Sequence, residues 1–154
     1  MLIFKIQNNK TNQIKTSSFR NELELQTLID TNLDDVFGIR FIASQVITAG
    51  GRIDTLGLDE NNSPVIIEYK WGEQDEAIIQ ALSYLNWLVS NRWDVEKIIE
   101  SKVGEKIEVE WGQPKVLVVA QSFSKRVKDA MEHLGENIEL WTYTKYDNDL
   151  LIMD

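Results

Sequence analysis

The chain has 154 residues, a formal net charge of −9 and no cysteine, with 43% hydrophobic and 27% charged residues. This composition is ordinary for a soluble globular protein, and the length suits one domain with a hydrophobic core. The lack of cysteine excludes disulfides, zinc–thiolate sites and thiol nucleophiles. The acidic charge argues against non-specific duplex binding, which depends on phosphate contacts. No signal peptide or membrane-spanning stretch is seen, so we expect a cytoplasmic protein without membrane contact.

The N-terminal third of the chain is predicted to contain helical segments between two strands. Apolar spacing, alternation and turn residues predict a short strand, a polar loop, a helix, a further helical turn and a strand. In that order they occupy residues 2–6, 7–18, 19–30, 32–35 and 39–47.

The stretch from residue 51 to residue 70, GRIDTLGLDENNSPVIIEYK, predicts a β-hairpin with a polar turn. If the hairpin is centred on Asn61, residues equally distant from Asn61 face each other. Asp54 then lies opposite Glu68, and Arg52 lies opposite Lys70. Period-2 alternation places all four side chains on one face. Because like charges directly opposite each other destabilise a sheet, the two carboxylates predict a cation between them.

Two interpretations of these four charges are open. Arg52 could pair diagonally with Glu68, and Asp54 with Lys70, which would give a lattice of ion pairs on a solvated face. Alternatively, the apolar run at residues 65–67 indicates a strand buried on both faces. Charges on a buried strand need partners or a metal ion, so this run favours an ion site.

The remainder of the chain is predicted to alternate between helices and strands. Helices are expected at residues 73–90, 93–103 and 122–134, and strands at 107–111, 115–120, 138–146 and 150–153. The first helix begins with Glu73, Asp75 and Glu76, which suits the positive end of its dipole. Its uncharged stretch, 77–91, indicates burial against the sheet or a homodimer interface. Together the elements predict a single α/β domain over residues 1–154, with a central mixed β-sheet flanked by helices.

Four sequence elements, in this order along the chain, resemble the PD-(D/E)XK nuclease superfamily. They are Glu22, the Gly-Arg-Ile-Asp run ending at Asp54, the Glu-Tyr-Lys run at residues 68–70, and the Gln-x-x-x-Tyr run at residues 80–84. More specifically, the chain resembles the nuclease domain of NucS-type endonucleases. It also resembles, over about residues 19–152, a set of uncharacterised prokaryotic proteins labelled predicted transport proteins, a label that the lack of a transmembrane segment does not support.

The chain departs from this pattern in two ways. NucS-type proteins carry a separate DNA-binding domain that has no counterpart in these 154 residues. Gln45 stands where a glutamate would be expected.

The resemblance implies a restriction-endonuclease-like fold and a metal-dependent nuclease acting on nucleic acid, with DNA the expected substrate. Asp54, Glu68 and the backbone carbonyl of Tyr69 would bind Mg²⁺ or Mn²⁺, which favour oxygen ligands. The ion would activate a water and stabilise the leaving oxygen. Lys70 would orient that water or stabilise the developing charge. Glu22 would complete a second-ion site or hold a metal-bound water, or would simply be a first-turn surface glutamate.

Further residues are candidates for substrate contact or support. Gln80 and Tyr84 lie four residues apart, on one helix face. Gln80 would hydrogen-bond a carboxylate or a phosphate with support from Tyr84, or would belong to the polar stripe of its helix. Arg52 would contact phosphate or remain a lattice partner. Trp71 follows Lys70 directly and is near enough to the predicted site to stack on a base.

Three functions compete at this point. The first is a metal-dependent nuclease. The second is a catalytically silent nuclease-fold module that binds nucleic acid or a protein partner, and the third is a dimeric scaffold built on residues 77–91. The sequence favours the nuclease, because a domain without catalysis has no reason to keep an Asp, a Glu and a Lys on one face.

Overall fold

A computed structural model gives the structure of the protein and describes residues 1–72, 75–135 and 137–154. In these ranges the strands are β1 (Ile3–Gln7), β2 (Lys10–Ile14), β3 (Arg40–Thr48), β4 (Gly51–Leu58), β5 (Pro64–Tyr69), β6 (Lys115–Ala120), β7 (Ile138–Tyr146) and β8 (Leu150–Met153). The helices are α1 (Glu22–Thr31), α2 (Leu33–Phe37), α3 (Glu76–Ser90), α4 (Arg92–Val103) and α5 (Lys125–Met131).

A central six-stranded sheet has the order β3-β4-β5-β6-β7-β8. Strands β3, β4 and β5 are antiparallel, β5, β6 and β7 are parallel, and β8 returns antiparallel to β7. Helices α3, α4 and α5 pack on one face of this sheet, and α1 and α2 pack on the other. The predicted α/β architecture, a mixed sheet flanked by helices, is therefore confirmed. Strands β1 and β2 form a separate two-stranded sheet.

Strand β5 lies at the centre of the molecule and is buried along its whole length. Val65 and Ile67 point into the core under α1, whereas Ile66 points into the core under α3. All three are 0% exposed, which confirms the prediction of a strand buried on both faces. The register Thr55↔Ile67 to Leu58↔Pro64 also has the predicted centre, at Asn61.

The predicted polar loop at residues 7–18 is wrong, because β2 lies within it and pairs with β1. Asn8 and Asn9 have φ angles of 53° and 59°. Positive φ at both central residues is what a two-residue hairpin turn requires, and asparagine tolerates it. The Asn-Asn pair was therefore a turn signal, although the polar residues that follow it obscured strand β2.

The brief strand predicted at residues 107–111 is also wrong, because this segment is irregular. The alternating apolar residues Ile107, Val109 and Trp111 pack against the core on the side of the sheet that carries α3 and α4. The backbone of Glu110 does reach the hairpin turn, since its amide donates to the Asn62 carbonyl over 3.0 Å. Alternation here reflects side-chain packing and not a strand ladder.

The predicted helices are present, with differences at their ends. Helix α1 begins at Glu22 and not at residue 19 as predicted. The first described residue of α3 is Glu76, and the predicted start at Glu73 lies outside the described residues. Helix α5 begins after Ser124, whose hydroxyl accepts from the Val127 amide, and so is shorter than predicted. Within the described ranges, no helix is long and apolar enough to cross a membrane.

Candidate active site

Helix α1 presents a polar ridge to the ends of β4 and β5. The ridge consists of Glu22, Gln26 and Asp30, which follow one another at four-residue spacing and so share one helix face. Glu22 Oε2 accepts from the backbone amide of Trp71 over 3.1 Å. Gln26 Nε2 donates to the Asp54 carbonyl over 3.1 Å. The ridge therefore fixes α1 directly beside the predicted site.

The antiparallel ladder between β4 and β5 stops at the pair Thr55↔Ile67. Beyond that pair, the Asp54 amide donates to Glu68 Oε1 over 3.1 Å, and the Tyr69 amide donates to Asp54 Oδ2 over 2.9 Å. The two strands therefore part where the acidic residues begin. The carboxylates occupy the gap, and each uses one oxygen to satisfy a backbone donor.

The predicted pairing of Arg52 with Lys70 is wrong, because β4 and β5 separate before these residues. Arg52 pairs with Ile47 on β3, whereas the Lys70 amide donates to the Val119 carbonyl on β6 over 2.8 Å. Because β5 follows its parallel neighbour β6 at this point, Lys70 moves away from the strand that carries Arg52. The side chain of Arg52 is exposed at the surface.

The lattice of ion pairs does not form in the described part of the chain. Ion pairs within 4 Å there join Arg20 to Glu24, Lys115 to Glu139 and Lys125 to Asp129. Neither Asp54 nor Glu68 belongs to such a pair, although the charge of Lys70 acts on both. The two carboxyl groups also interact with each other.

Burial and mutual repulsion make this site unfavourable for negative charge. Burial, followed by the neighbouring charge of Asp54, raises the pKa of Glu68 to about 8, and Glu68 is only 1% exposed. Burial also raises the pKa of Asp54, against the pull of the Tyr69 amide and of Lys70. The pKa of Glu22 is raised by burial and by the charge of Asp54. Such a group of acids is stabilised by a cation.

A buried hydrogen-bond network beneath the site was not predicted. Asp30 Oδ1 accepts from the hydroxyl of Thr55 over 2.7 Å and from that of Tyr69 over 3.0 Å. Both donors are 0% exposed. Gln26, only 5% exposed, also donates to Asp30 Oδ2 over 3.3 Å. The four-residue spacing of Glu22, Gln26 and Asp30 was the available signal, and it was not used.

Gln45 lies in β3 beside this network. Its φ of 55° is unusual for a residue in a strand. Gln45 Nε2 donates to Gln26 Oε1 over 3.2 Å, and Gln26 in turn holds the Asp54 carbonyl. Within the described residues, the buried Oε1 of Gln45 has no hydrogen-bond donor. The position is therefore linked to Asp54 through Gln26, with an amide where a carboxylate was expected.

Lys70, Gln80 and Tyr84 line a cleft of about 410 Å³. Gln80 Nε2 donates to the Tyr84 hydroxyl over 3.0 Å, and that hydroxyl donates to the Arg52 carbonyl over 3.0 Å. Tyr84 is only 3% exposed, so it holds α3 against β4, and Gln80 stands at the cleft with the Lys70 side chain. A larger cavity, of about 750 Å³, lies on the outer side of α1 and has none of these residues in its lining.

The surroundings of Asp54 and Glu68 fit a hard divalent cation. Glu68 is buried and Asp54 is half-buried, and neither carboxylate forms an ion pair within 4 Å in the described ranges. Carboxylate oxygens in such a setting are the ligands that Mg²⁺ and Mn²⁺ prefer. The described ranges contain no set of three Asp, Glu or His side chains arranged to hold a metal ion. An ion here would therefore need backbone or water ligands in addition to the two carboxylates.

Trp71 is 36% exposed next to Lys70, with its amide bound by Glu22.

No family model matches the chain. A protein of Haemophilus influenzae named as uncharacterised is 32% identical over 160 residues, a match that covers 100% of this chain and 52% of that protein. The chain therefore spans about half the length of this relative.

The fold is similar to solved structures of a repair endonuclease and of EndoMS. A repair endonuclease from Pyrococcus abyssi has a TM-score of 0.53 and 20% identity, covering 80% of this chain and 47% of that chain. EndoMS in complex with double-stranded DNA has a TM-score of 0.53 and 15% identity, covering 91% of this chain and 64% of that one. Apo EndoMS has a TM-score of 0.50, 18% identity and coverages of 91% and 62%. The chain thus has a restriction-endonuclease-like fold, shared with repair endonucleases.

Proposed function

We propose that the protein is a metal-dependent nuclease that hydrolyses phosphodiester bonds of nucleic acid, as a member of the PD-(D/E)XK superfamily. The observation that carries the proposal is the pair of half-buried Asp54 and buried Glu68, which forms no ion pair within 4 Å in the described chain and lies within the influence of Lys70. DNA is the proposed substrate. The EndoMS structure with double-stranded DNA supports this choice through the shared fold.

Asp54 and Glu68, with the backbone carbonyl of Tyr69, would hold Mg²⁺ or Mn²⁺. When bound, the ion supplies charge neutralisation at the phosphate and a more acidic water. The ammonium group of Lys70 stabilises negative charge that develops at the reacting phosphate. Glu22 hydrogen-bonds the Trp71 amide and so fixes the chain just after Lys70. Gln80, beside Lys70 in the cleft, offers an amide to a substrate phosphate.

The test is a cleavage panel with Mn²⁺ that includes single-stranded, duplex, branched and mismatched DNA together with single-stranded RNA. We expect cleavage of at least one substrate, loss of cleavage with chelator, and loss in Asp54→Asn and in Glu68→Gln. Glu60→Gln is the matched control, because Glu60 is exposed in the hairpin turn. Cleavage by Glu68→Gln at the rate of Glu60→Gln would overturn the proposal.

A second candidate is the catalytically silent module. It is favoured by the fact that Asp54 and Glu68 each already bind a backbone amide, so they have a structural role without an ion. In that case the wild-type protein would bind nucleic acid or a protein equally well with chelator and with Mn²⁺, and would cleave no substrate in the panel.

A homodimer through residues 77–91 is a further proposal. Helix α3 exposes Ile79, Leu82 and Val89, with exposed fractions of 66%, 39% and 38%. Burying such side chains between two copies would be favourable. Sedimentation velocity of the wild-type protein and of Ile79→Lys tests it. A wild-type monomer at micromolar concentration would exclude a stable dimer.

A further inference from the structure

The first 20 residues differ in charge from the rest of the protein. They contain four basic residues, Lys5, Lys10, Lys15 and Arg20, and no Asp or Glu. All 25 acidic residues of the chain lie beyond residue 20, together with the other 12 basic residues. A positive segment therefore precedes a strongly negative domain.

This positive segment folds as an exposed hairpin outside the central sheet. Strands β1 and β2 pair only with each other, from Ile3↔Ile14 to Gln7↔Lys10. Nearly every residue of the two strands is exposed, and Ile14 at the base is the buried exception. Lys5 and Lys10 lie on one face, since Lys5 pairs with Asn12 and Lys10 with Gln7. Phe4 is 47% exposed on the other face.

The base of the hairpin is attached to β7. The Ser17 amide donates to the Lys145 carbonyl over 2.9 Å, and the Asp147 amide donates to the Lys15 carbonyl over 2.8 Å. The Lys145 ammonium group lies 4.8 Å from the centroid of the Phe19 ring. These two backbone hydrogen bonds and one ring contact fix the direction in which the hairpin leaves the domain.

The attachment also lies close to the candidate site. The Phe19 and Tyr143 rings are 5.8 Å apart, and burial and the charge of Glu22 raise the pKa of Tyr143. Glu22 binds the Trp71 amide, one residue beyond Lys70. A ring contact, a charge interaction and a hydrogen bond therefore connect the base of the hairpin with the site.

We propose that residues 1–20 form an arm that binds the phosphate backbone of nucleic acid and positions it at the Asp54–Glu68 site. Lysine ammonium groups attract phosphates as point charges, and the acidic remainder of the surface repels them. A polyanion therefore approaches the hairpin side of the molecule. This choice of ligand depends on the proposed nuclease function, whereas the charge separation of the arm does not.

The experiment measures binding without cleavage. Fluorescence anisotropy of a labelled 30-nucleotide DNA, single-stranded and duplex, is recorded with EDTA over a range of salt concentrations. The arm variant is Lys5→Glu with Lys10→Glu. The control variant is Lys102→Glu with Lys106→Glu, which makes the same change of charge at two exposed positions at the end of α4 and beyond it.

We expect wild-type binding, at least tenfold weaker binding by the arm variant, and at most a twofold change in the control. Loss of two phosphate contacts should also reduce the slope of log K against log salt by about two. A second arm variant, Lys5→Gln with Lys10→Gln, should have an affinity between those of the wild-type protein and the first arm variant. Circular dichroism checks that all variants are folded.

Several results would overturn the arm proposal. They are equal weakening in the arm and control variants, an unchanged salt slope, or no binding of either DNA by the wild-type protein. Failure of the nuclease proposal looks different, because the DNA would then bind through the arm and remain uncleaved with Mn²⁺. Conversely, if the protein cleaves DNA but binds it independently of the arm, the arm proposal fails and the nuclease proposal stands.

Discussion

The backbone amide of Asp54 donates to the carboxylate of Glu68, and the amide of the next residue after Glu68 donates to the carboxylate of Asp54. Each acid thus holds the strand that carries the other. This reciprocal pairing keeps a half-buried and a buried carboxylate together at the point where β4 and β5 part, although their charges repel. The arrangement costs stability when both are ionised, and a bound cation would offset that cost.

The stability of the apo protein should fall as pH rises between about 4.5 and 8. The pKa of Glu68 is raised from 4.5 to about 8 in the folded state, so in this window the unfolded chain loses its proton first. Unfolding then releases a proton, and the free energy of unfolding decreases with pH. Thermal melts in EDTA at pH 5 and pH 8 should show a smaller loss for Glu68→Gln than for Glu60→Gln. An equal loss in both variants would refute the assignment.

Lys70→Met should separate metal binding from catalysis. Removing the ammonium group leaves Asp54 and Glu68 in place and removes a positive charge that would repel a divalent ion. We expect Mn²⁺ to bind at least as tightly as in the wild-type protein, while cleavage falls by about 10²-fold or more, as for loss of a charge-stabilising group. Calorimetry and single-turnover cleavage measure the two effects. Loss of Mn²⁺ binding in this variant would contradict the role given to Lys70.

Asp30→Ala should destabilise the protein through the network beneath the site. The hydroxyls of Thr55 and Tyr69 would lose their acceptor in a buried position, at a cost of about 1–3 kcal/mol for each unsatisfied group. Urea unfolding measures the cost. In a background with Thr55→Val and Tyr69→Phe, the same substitution should cost much less. Equal costs in both backgrounds would show that the hydroxyls do not depend on Asp30.

Gly51→Ala should be costly because of Tyr84. Gly51 has a φ of 147°, and an added Cβ would lie 2.7 Å from the Tyr84 hydroxyl oxygen. We expect a loss of about 1–3 kcal/mol from backbone strain and the close contact. Part of the loss should disappear in the Tyr84→Phe background, in a double-mutant cycle followed by urea unfolding. Additive losses would show that the contact is unimportant.

The fold was largely predictable because its strongest signals are local. The apolar run at residues 65–67 indicated the central buried strand, and the turn around Asn61 set the hairpin register. The strand predicted at residues 2–6 is present as β1. Its partner β2 was missed because it is polar and exposed, so the alternation that marks a half-buried strand is absent. A single domain over residues 1–154 remains a prediction.

The site was predictable only in part. Facing positions in a hairpin can be counted, so the proximity of Asp54 and Glu68 followed from the sequence. The point at which the strands part could not be predicted by counting, because it depends on the pairing of β5 with β6, whose residues lie 50 positions later in the chain. The roles of Gln26 and Asp30 depend on how α1 lies across β4 and β5, which no local pattern states.

Isothermal titration of Mn²⁺ into the protein at pH 8 tests most directly whether the Asp54–Glu68 pair binds a divalent cation. We predict binding by the wild-type protein and by Glu60→Gln, and a loss of affinity of about tenfold or more in Glu68→Gln. The same dissociation constant in all three proteins, or no binding by the wild type, would contradict the account.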